Sequence, residues 1–280
     1  VFDLACSLVL TAGCLIVAVA YAGRVSRAGA ARHARVDRAG GSPLLGKGAM
    51  EMGYWAMRPA ALACIALGLT ANAVSWMSLA LAAAAGGALA LGHFGLGAVL
   101  SVASSVCDAL DGMVARETGT ASDAGEVLDA AVDRYAELLF FGGAVLYLRE
   151  SALAVTLALA ATAGAIMVSY STAKAEALHV EAPRGAMRRQ ERAVYLAMGA
   201  ALVPVAQAAA DRLSLPGWVG DAPLLLVLTL IAIVGNVSAA RRLRAIAAAV
   251  ARPPVARVRQ PDGAGSLARD SHGAVSDAAR

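Results

Sequence analysis

What this chain can fold into is set first by a series of apolar stretches, each near the length that crosses a bilayer. Six run through 71–91, 94–115, 125–148, 152–173, 193–210 and 222–240, and a further one lies at 4–23. A helix needs about 20 such residues to span the hydrocarbon, where no water is available to satisfy open backbone groups. Composition agrees: 59% of the 280 residues are hydrophobic and 16% are charged, against roughly 25% charged in a soluble domain. With aromatics at 5%, the apolar mass is mostly Ala, Leu and Val. The expected fold is an all-α integral membrane protein with a six-helix transmembrane core. An interfacial amphipathic helix precedes that core, and an extra transmembrane helix stands at the N-terminus.

The stretch at 4–23 has spanning length, and Arg24 and Arg27 follow it, as where a helix leaves the membrane on the cytoplasmic side. Residues 1–23 are therefore read as a transmembrane anchor. The basic segment 24–45, which lacks apolar periodicity, is read as a cytoplasmic linker. Segment 46–69 interleaves Met50, Met52, Tyr54, Trp55 and Leu62 with Lys47, Glu51 and Arg58, which suits a helix lying along the interface. Segment 245–280, with Pro253, Pro254 and Pro261, is expected to be a disordered cytoplasmic tail. Of the 24 Lys and Arg residues, only Arg149 and Arg212 fall where the chain would face outside. The others lie before residue 71, flank the 116–124 turn, or lie in 174–192 and beyond 240. All these places are thereby cytoplasmic. A net charge of +4 is too small to suggest nucleic-acid binding.

Two cytoplasmic helix ends carry acid. Asp108 and Asp111 close the second core stretch together with Gly112, Ala115 and Arg116; Asp129 and Asp133 open the third, after Gly125. At helical spacing 108, 111, 112 and 115 share one face, and so do 125, 129 and 133. Helices joined by a short turn are expected to be antiparallel neighbours, which lets the two acidic faces meet. Four carboxylates beside hydrocarbon are costly and need compensation, and Arg116 and Arg134 are too few to supply it. Hard divalent cations fit: two Mg²⁺ ions, or Mn²⁺ in their place, about 4 Å apart can clamp the attacking and leaving oxygens of a phosphoryl transfer. Gly112, Ala115 and Gly125 leave room for a ligand against the backbone, and Arg116 is set to meet a diphosphate oxygen. Buried carboxylates also line ion paths, so a divalent-cation transporter is the rival reading. Clustering at two helix ends, beside a repelling Arg116, favours the enzyme.

The string Asp108-x2-Asp111-Gly112-x2-Ala115-Arg116-x8-Gly125-x3-Asp129-x3-Asp133 resembles the full signature of the CDP-alcohol phosphotransferases. The resemblance covers 46–244. Thr70-Ala71-Asn72 is similar to the family's Thr-Pro-Asn at the start of the first core helix, with Ala71 in place of Pro. The resemblance implies transfer of a phosphatidyl-type group from a CDP-diacylglycerol-like lipid to a small alcohol, with release of CMP. It also implies that Asp108, Asp111 and Asp129 ligate metal, while Asp133 both ligates metal and acts as general base. Gly112, Ala115, Arg116 and Gly125 become the CDP-lipid residues. Membrane lipids are the surroundings, nucleic acid is not a partner, and a homodimer is implied.

For the acceptor, the basic residues Lys174, Arg189, Arg192 and Arg241 are expected to face the carboxylates and to bind a phosphorylated polyol. Arg184 and Arg188 read equally well as headgroup contacts. The pieces Ser169-Tyr170, Ala175-Glu176 and Arg189-Gln190-Glu191-Arg192 resemble those of bacterial phosphatidylinositol-phosphate synthases. That branch carries Lys where this chain has Thr172. Glycerol 3-phosphate and inositol phosphate both remain open, with a neutral alcohol such as inositol or serine as the alternative. His33, His93, His179 and His272 show no paired ligand spacing, and Cys6, Cys14, Cys64 and Cys107 read as small buried hydrophobes. Gly86 and Gly87 are read as sites of close helix packing, and Glu137 as a packing and hydrogen-bonding residue.

Overall fold

The computed structural model describes residues 1–31, 36, 46–181 and 185–251, and every regular element among them is a helix. In chain order these are α1 (Phe2–Ala28), α2 (Gly46–Ala66), α3 (Ala71–Ala90), α4 (Phe94–Glu117) and α5 (Asp123–Tyr147). A single turn, Leu148–Glu150, leads to α6 (Ala152–Ala177), followed by α7 (Arg189–Arg212), α8 (Trp218–Leu230) and α9 (Asn236–Val250). The last two form one continuous rod, widened to π geometry over Ile231–Gly235. Six of the described helices are long and apolar enough to cross a membrane, the α8–α9 rod counting as one. Helix α5 falls outside that set because Asp123, Glu126, Asp129, Asp133, Arg134 and Glu137 crowd its first half. Its 25 residues still reach about 37 Å at the usual rise per residue.

Short polar side chains start three of the core helices. Thr70 accepts from the Ala73 N–H of α3 at 3.2 Å, Ser122 from Gly125 of α5 at 3.2 Å, and Ser151 from Ala154 of α6 at 3.3 Å. Each satisfies a backbone donor that the helix itself leaves open.

Helix α3 occupies the place that the sequence assigns to the direct α4–α5 contact. It packs along both α4 and α5, while those two, though joined by a short turn, approach each other little. The reason is steric. A Cβ on Gly86 of α3 would collide with the Leu139 carbonyl of α5, and one on Gly143 of α5 would collide with Gly86. Two bare backbones let α3 and α5 close to a distance that side chains forbid. Gly87 takes no part in this, since a Cβ there would meet open space. The acidic ends of α4 and α5 therefore meet beside α3, through side chains and not through a packed seam.

Helix α7 packs on α4 and α8, and α6 on the rod of α8 and α9. Their shared core includes Leu89, Phe94, Phe141, Ala158, Leu196 and Leu228, with Phe94 set edge-on to Tyr147 at 4.5 Å. Asn236 donates to the carbonyls of Ala160 (2.9 Å) and Ala232 (2.7 Å), fixing the widened turn to α6.

Two boundaries differ from the sequence reading. Helix α1 continues through Arg24 and Arg27 to Ala28, so the basic residues end the helix and do not start a linker. Helix α9 continues to Val250, because Ala245–Val250 is rich in the strongest helix former and Ile246 is buried. Most of the expected linker and tail lies outside the described residues, as does Arg184. The four thiols are free; Cys14 is exposed on α1 and the other three are half-buried, so the expectation of full burial does not hold.

Gly86→Leu is expected to destabilise the protein by about 1–3 kcal/mol through overpacking, read as a lower thermal midpoint in detergent. Gly87→Ala should leave the midpoint unchanged or slightly higher.

Candidate active site

Asp108 and Asp111 stand on the last three turns of α4, and Asp129 on the second turn of α5. Each offers a carboxylate oxygen, and those three oxygens lie within 4.8 Å of one another. Asp111 is only 5% exposed, and Ser75, from the second turn of α3, donates to its Oδ2 at 2.5 Å. An all-oxygen set with one carboxylate held by a hydroxyl is what a hard divalent ion takes. The residues fit the metal that the spacing implies.

Asp133, one turn further along α5, is bound differently. Its Oδ1 forms an ion pair with Nη2 of Arg189 at 2.6 Å, and Arg134 lies 3.9 Å from its Oδ2. The same Arg189 guanidinium forks onto Asp108, with Nη1–Oδ2 at 2.7 Å and Nη2–Oδ1 at 3.1 Å. Arg189 thus bridges α4 and α5 from the first turn of α7. The sequence places it on the acceptor side; the structure seats it among the carboxylates, where a half-buried guanidinium finds two anions at once.

Arg192 goes deeper still. It is completely buried, with Nε and Nη2 on the Glu137 carboxylate at 2.6 and 2.9 Å and Nη1 on the Met187 carbonyl at 2.5 Å. Every nitrogen of that side chain is spent on the protein. Lys174 and Arg241, by contrast, are exposed on α6 and α9. The residue of α9 that turns inward is Arg242, whose Nη2 donates to Thr172 Oγ1 at 2.8 Å.

The connection into α7 is built to hold these arginines. A Cβ on Gly185 would lie 2.6 Å from Ser238 Oγ and 2.8 Å from Arg242 Cδ, so the backbone lies directly on α9. Ser238 Oγ donates to the Ala186 carbonyl at 2.9 Å. Met187 is buried with φ 63°, and the Arg188 N–H donates to the Glu191 carboxylate at 3.1 Å to start the helix.

On the other side of the cluster, a Cβ on Gly112 would lie 2.9 Å from Nη1 of Arg116. Arg116 therefore folds back along α4, over the glycine, at the exposed rim. Ala115 and Gly125 are half-buried, and a Cβ on Gly125 would have only Ser122 Oγ near it, at 3.3 Å.

Sequence reasoning missed Ser75 and Arg242. Ser75 carries a signal, five residues past the Thr70 cap on the inward face of α3. Arg242 carries a weaker one: it shares a face with Ser238 and Ile246, whereas Arg241 does not.

The CDP-alcohol phosphatidyltransferase family profile matches residues 68–251, well over half of the chain. The chain belongs to the CDP-alcohol phosphatidyltransferase family. It is a membrane-embedded transferase of phospholipid biosynthesis that moves a substituted phosphate group. The phosphatidylinositol phosphate synthase of Mycolicibacterium smegmatis is 35% identical over 151 residues, 52% of this chain and 67% of that protein. A bifunctional IPC transferase and DIPP synthase of Rubrobacter xylanophilus is 40% identical over 109 residues, 39% of this chain but a quarter (25%) of that longer protein. The fold is shared with the Mycobacterium tuberculosis phosphatidylinositol phosphate synthase, solved with manganese and citrate and also with CDP-DAG bound. That protein is 24% identical with a TM-score of 0.58, covering 68% of this chain and 88% of the manganese-bound one.

Ser75→Ala is expected to weaken divalent-ion binding about tenfold, as loss of an outer partner of a metal-ligating carboxylate does. A Mn²⁺ titration followed by electron paramagnetic resonance measures it directly.

Proposed function

We propose that this enzyme transfers the phosphatidyl group of CDP-diacylglycerol to a phosphorylated polyol, inositol phosphate first among them, and works on the cytoplasmic side of the membrane. The observation that carries the acceptor is Arg242. Its side chain is 8% exposed and bonded to the Thr172 hydroxyl, while its Nε has no partner among the described residues. Among the described residues, Arg188 and Glu176 are close enough for their charges to act on it. A guanidinium held out of water without a bonded carboxylate calls for an anion, and a phosphate monoester supplies one. Arg242 also offsets the departure at Thr172: the cation missing from α6 arrives from α9. The phosphatidylinositol phosphate synthases among the relatives support the same acceptor.

Asp108, Asp111, Asp129 and Asp133 would hold two divalent ions, Mg²⁺ or Mn²⁺, which when bound neutralise the diphosphate charge. Asp133 takes the proton from the acceptor hydroxyl as that oxygen bonds to the phosphatidyl phosphorus, and the P–O bond to CMP breaks with its electrons leaving on CMP. Arg189, already paired with Asp133, keeps that carboxylate aimed at the cluster. Arg116 at the rim meets the diphosphate, with Gly112 leaving the backbone open beneath it.

Asp133→Asn should lower CMP release at least about 100-fold while CDP-diacylglycerol still binds; unchanged turnover removes the base assignment. In the same assay Arg242→Gln should raise KM for inositol phosphate about tenfold. If neutral inositol, glycerol or serine reacts better than its phosphorylated counterpart in the unaltered enzyme, the anionic acceptor is wrong.

A further inference from the structure

Helix α1 lies before the matched family region and has the outward face of a simple anchor. Leu8, Val9, Leu15, Ile16 and Val19 are exposed along it. Its inward face is another matter, because the groups it buries are polar. Ser7 and Tyr21 are buried, and near the N-terminus Asp3 Oδ1 accepts from the Leu96 N–H of α4 at 3.0 Å. His93, which precedes α4, contributes no side-chain cap of its own, so α1 supplies one. A Cβ on Gly95 would collide with the Asp3 carbonyl, which means that α1 and α4 meet backbone to backbone. Anchoring requires only apolar surface; buried polar contacts fix a register.

The other end of α1 grips α2. Tyr21 is 8% exposed, its ring lies 5.5 Å from that of Trp55 at 48°, and its hydroxyl donates to Glu51 Oε2 at 3.5 Å. The Ala31 N–H donates back to the same hydroxyl at 3.4 Å. Glu51 is 6% exposed, with Lys47 3.9 Å away. From the opposite side α2 presses Ala61, Met57 and Cys64 onto Val74, Leu110, Cys107 and Met113. Of these, Cys107, Leu110 and Met113 of α4 alternate with Asp108, Asp111 and Gly112, while Val74 belongs to α3. Helix α2 is thus held between α1 and the carboxylate-bearing helix, and α1 is tied to that helix at its other end.

We propose that α1 is a positioning element of the enzyme: through Tyr21, Trp55 and Glu51 it holds α2 against α4, and this clasp sets the affinity for the CDP-lipid. The part concerning the lipid rests on the donor assigned above. Helix α2 mixes charged and apolar residues and lies against the wall of the carboxylate cluster. A donor with a charged nucleotide and two apolar chains needs such a wall.

The test uses the whole chain in lipid nanodiscs, with two readouts. Tyr21→Ala should raise the Kd for CDP-diacylglycerol about fivefold, the loss of one aromatic contact, and leave kcat within about twofold at saturating donor. It should also raise maleimide labelling of Cys64 and Cys107, followed by mass spectrometry, about threefold or more as α2 opens locally. Tyr21→Phe, which keeps the ring, should restore most of both. Donor affinity that is unchanged in Tyr21→Ala overturns the proposal, whatever the labelling shows, and so does a fall in kcat with unaltered donor affinity. If the unaltered enzyme binds no CDP-diacylglycerol, the donor assignment fails on its own. Unchanged labelling then overturns the clasp as well, and raised labelling upholds it.

Discussion

The structure is organised around one electrostatic problem, that of keeping carboxylates ionised at the end of an apolar bundle. Five of them, Asp108, Asp111, Asp129, Asp133 and Glu137, come from two helices. Burial of a lone charge drives it to neutralise, so each must be met by a cation or by donors. The chain meets them from two other helices. Ser75 of α3 donates to Asp111, Arg189 of α7 forks onto Asp108 and reaches Asp133, and Arg192 closes on Glu137. The positions of α3 and α7 follow from that demand as much as from apolar packing. The left-handed backbone at Met187 and the Ser238 contact to Ala186 hold the first turn of α7 where its arginines can reach.

How much of this was legible in the sequence depends on the kind of signal each feature leaves. Asp108 and Asp111 share a face as their spacing requires, because i and i+3 positions are fixed by the helix itself, and Asp129 meets them from the far side of the turn. Helix number was equally readable, since spanning length is local, although α1 and α9 run past the bounds that composition suggests. What was not readable is which helix lies between which. The turn from α4 to α5 suggested direct pairing, but Gly86 and Gly143 let α3 close onto α5 instead. A glycine in sequence does not announce the backbone it will meet, and Gly87, beside Gly86, meets none.

The basic residues were the hardest to read for a related reason. Charge asymmetry assigns a side of the membrane, not a partner. Lys174, Arg189, Arg192 and Arg241 all stand at the same end of the bundle, yet two are drawn inside and two face outward. The difference is a matter of helical phase and reach. Arg241 and Arg242 are adjacent, and a rotation of about 100° between them decides which guanidinium is buried near Thr172. Only a structure fixes that phase.

The two α5–α7 bridges have different physical duties. Asp133 and Glu137 are one turn apart on α5, and Arg189 and Arg192 nearly one turn apart on α7, so the pairs stack like rungs. The deeper rung has no exposed arginine surface at all, and it is bidentate, with a carbonyl completing it. Removing one partner of such a pair costs about 3–5 kcal/mol, because the other charge is left buried and alone. That rung sets the separation of the helices. The outer rung has an arginine side chain that is 25% exposed and is shared between two carboxylates, so it can yield one contact while keeping the other. The base role proposed for Asp133 calls for a carboxylate that can exchange a contact for a proton, and the outer rung is the one placed for it. The inner rung would keep α5 and α7 at a fixed separation.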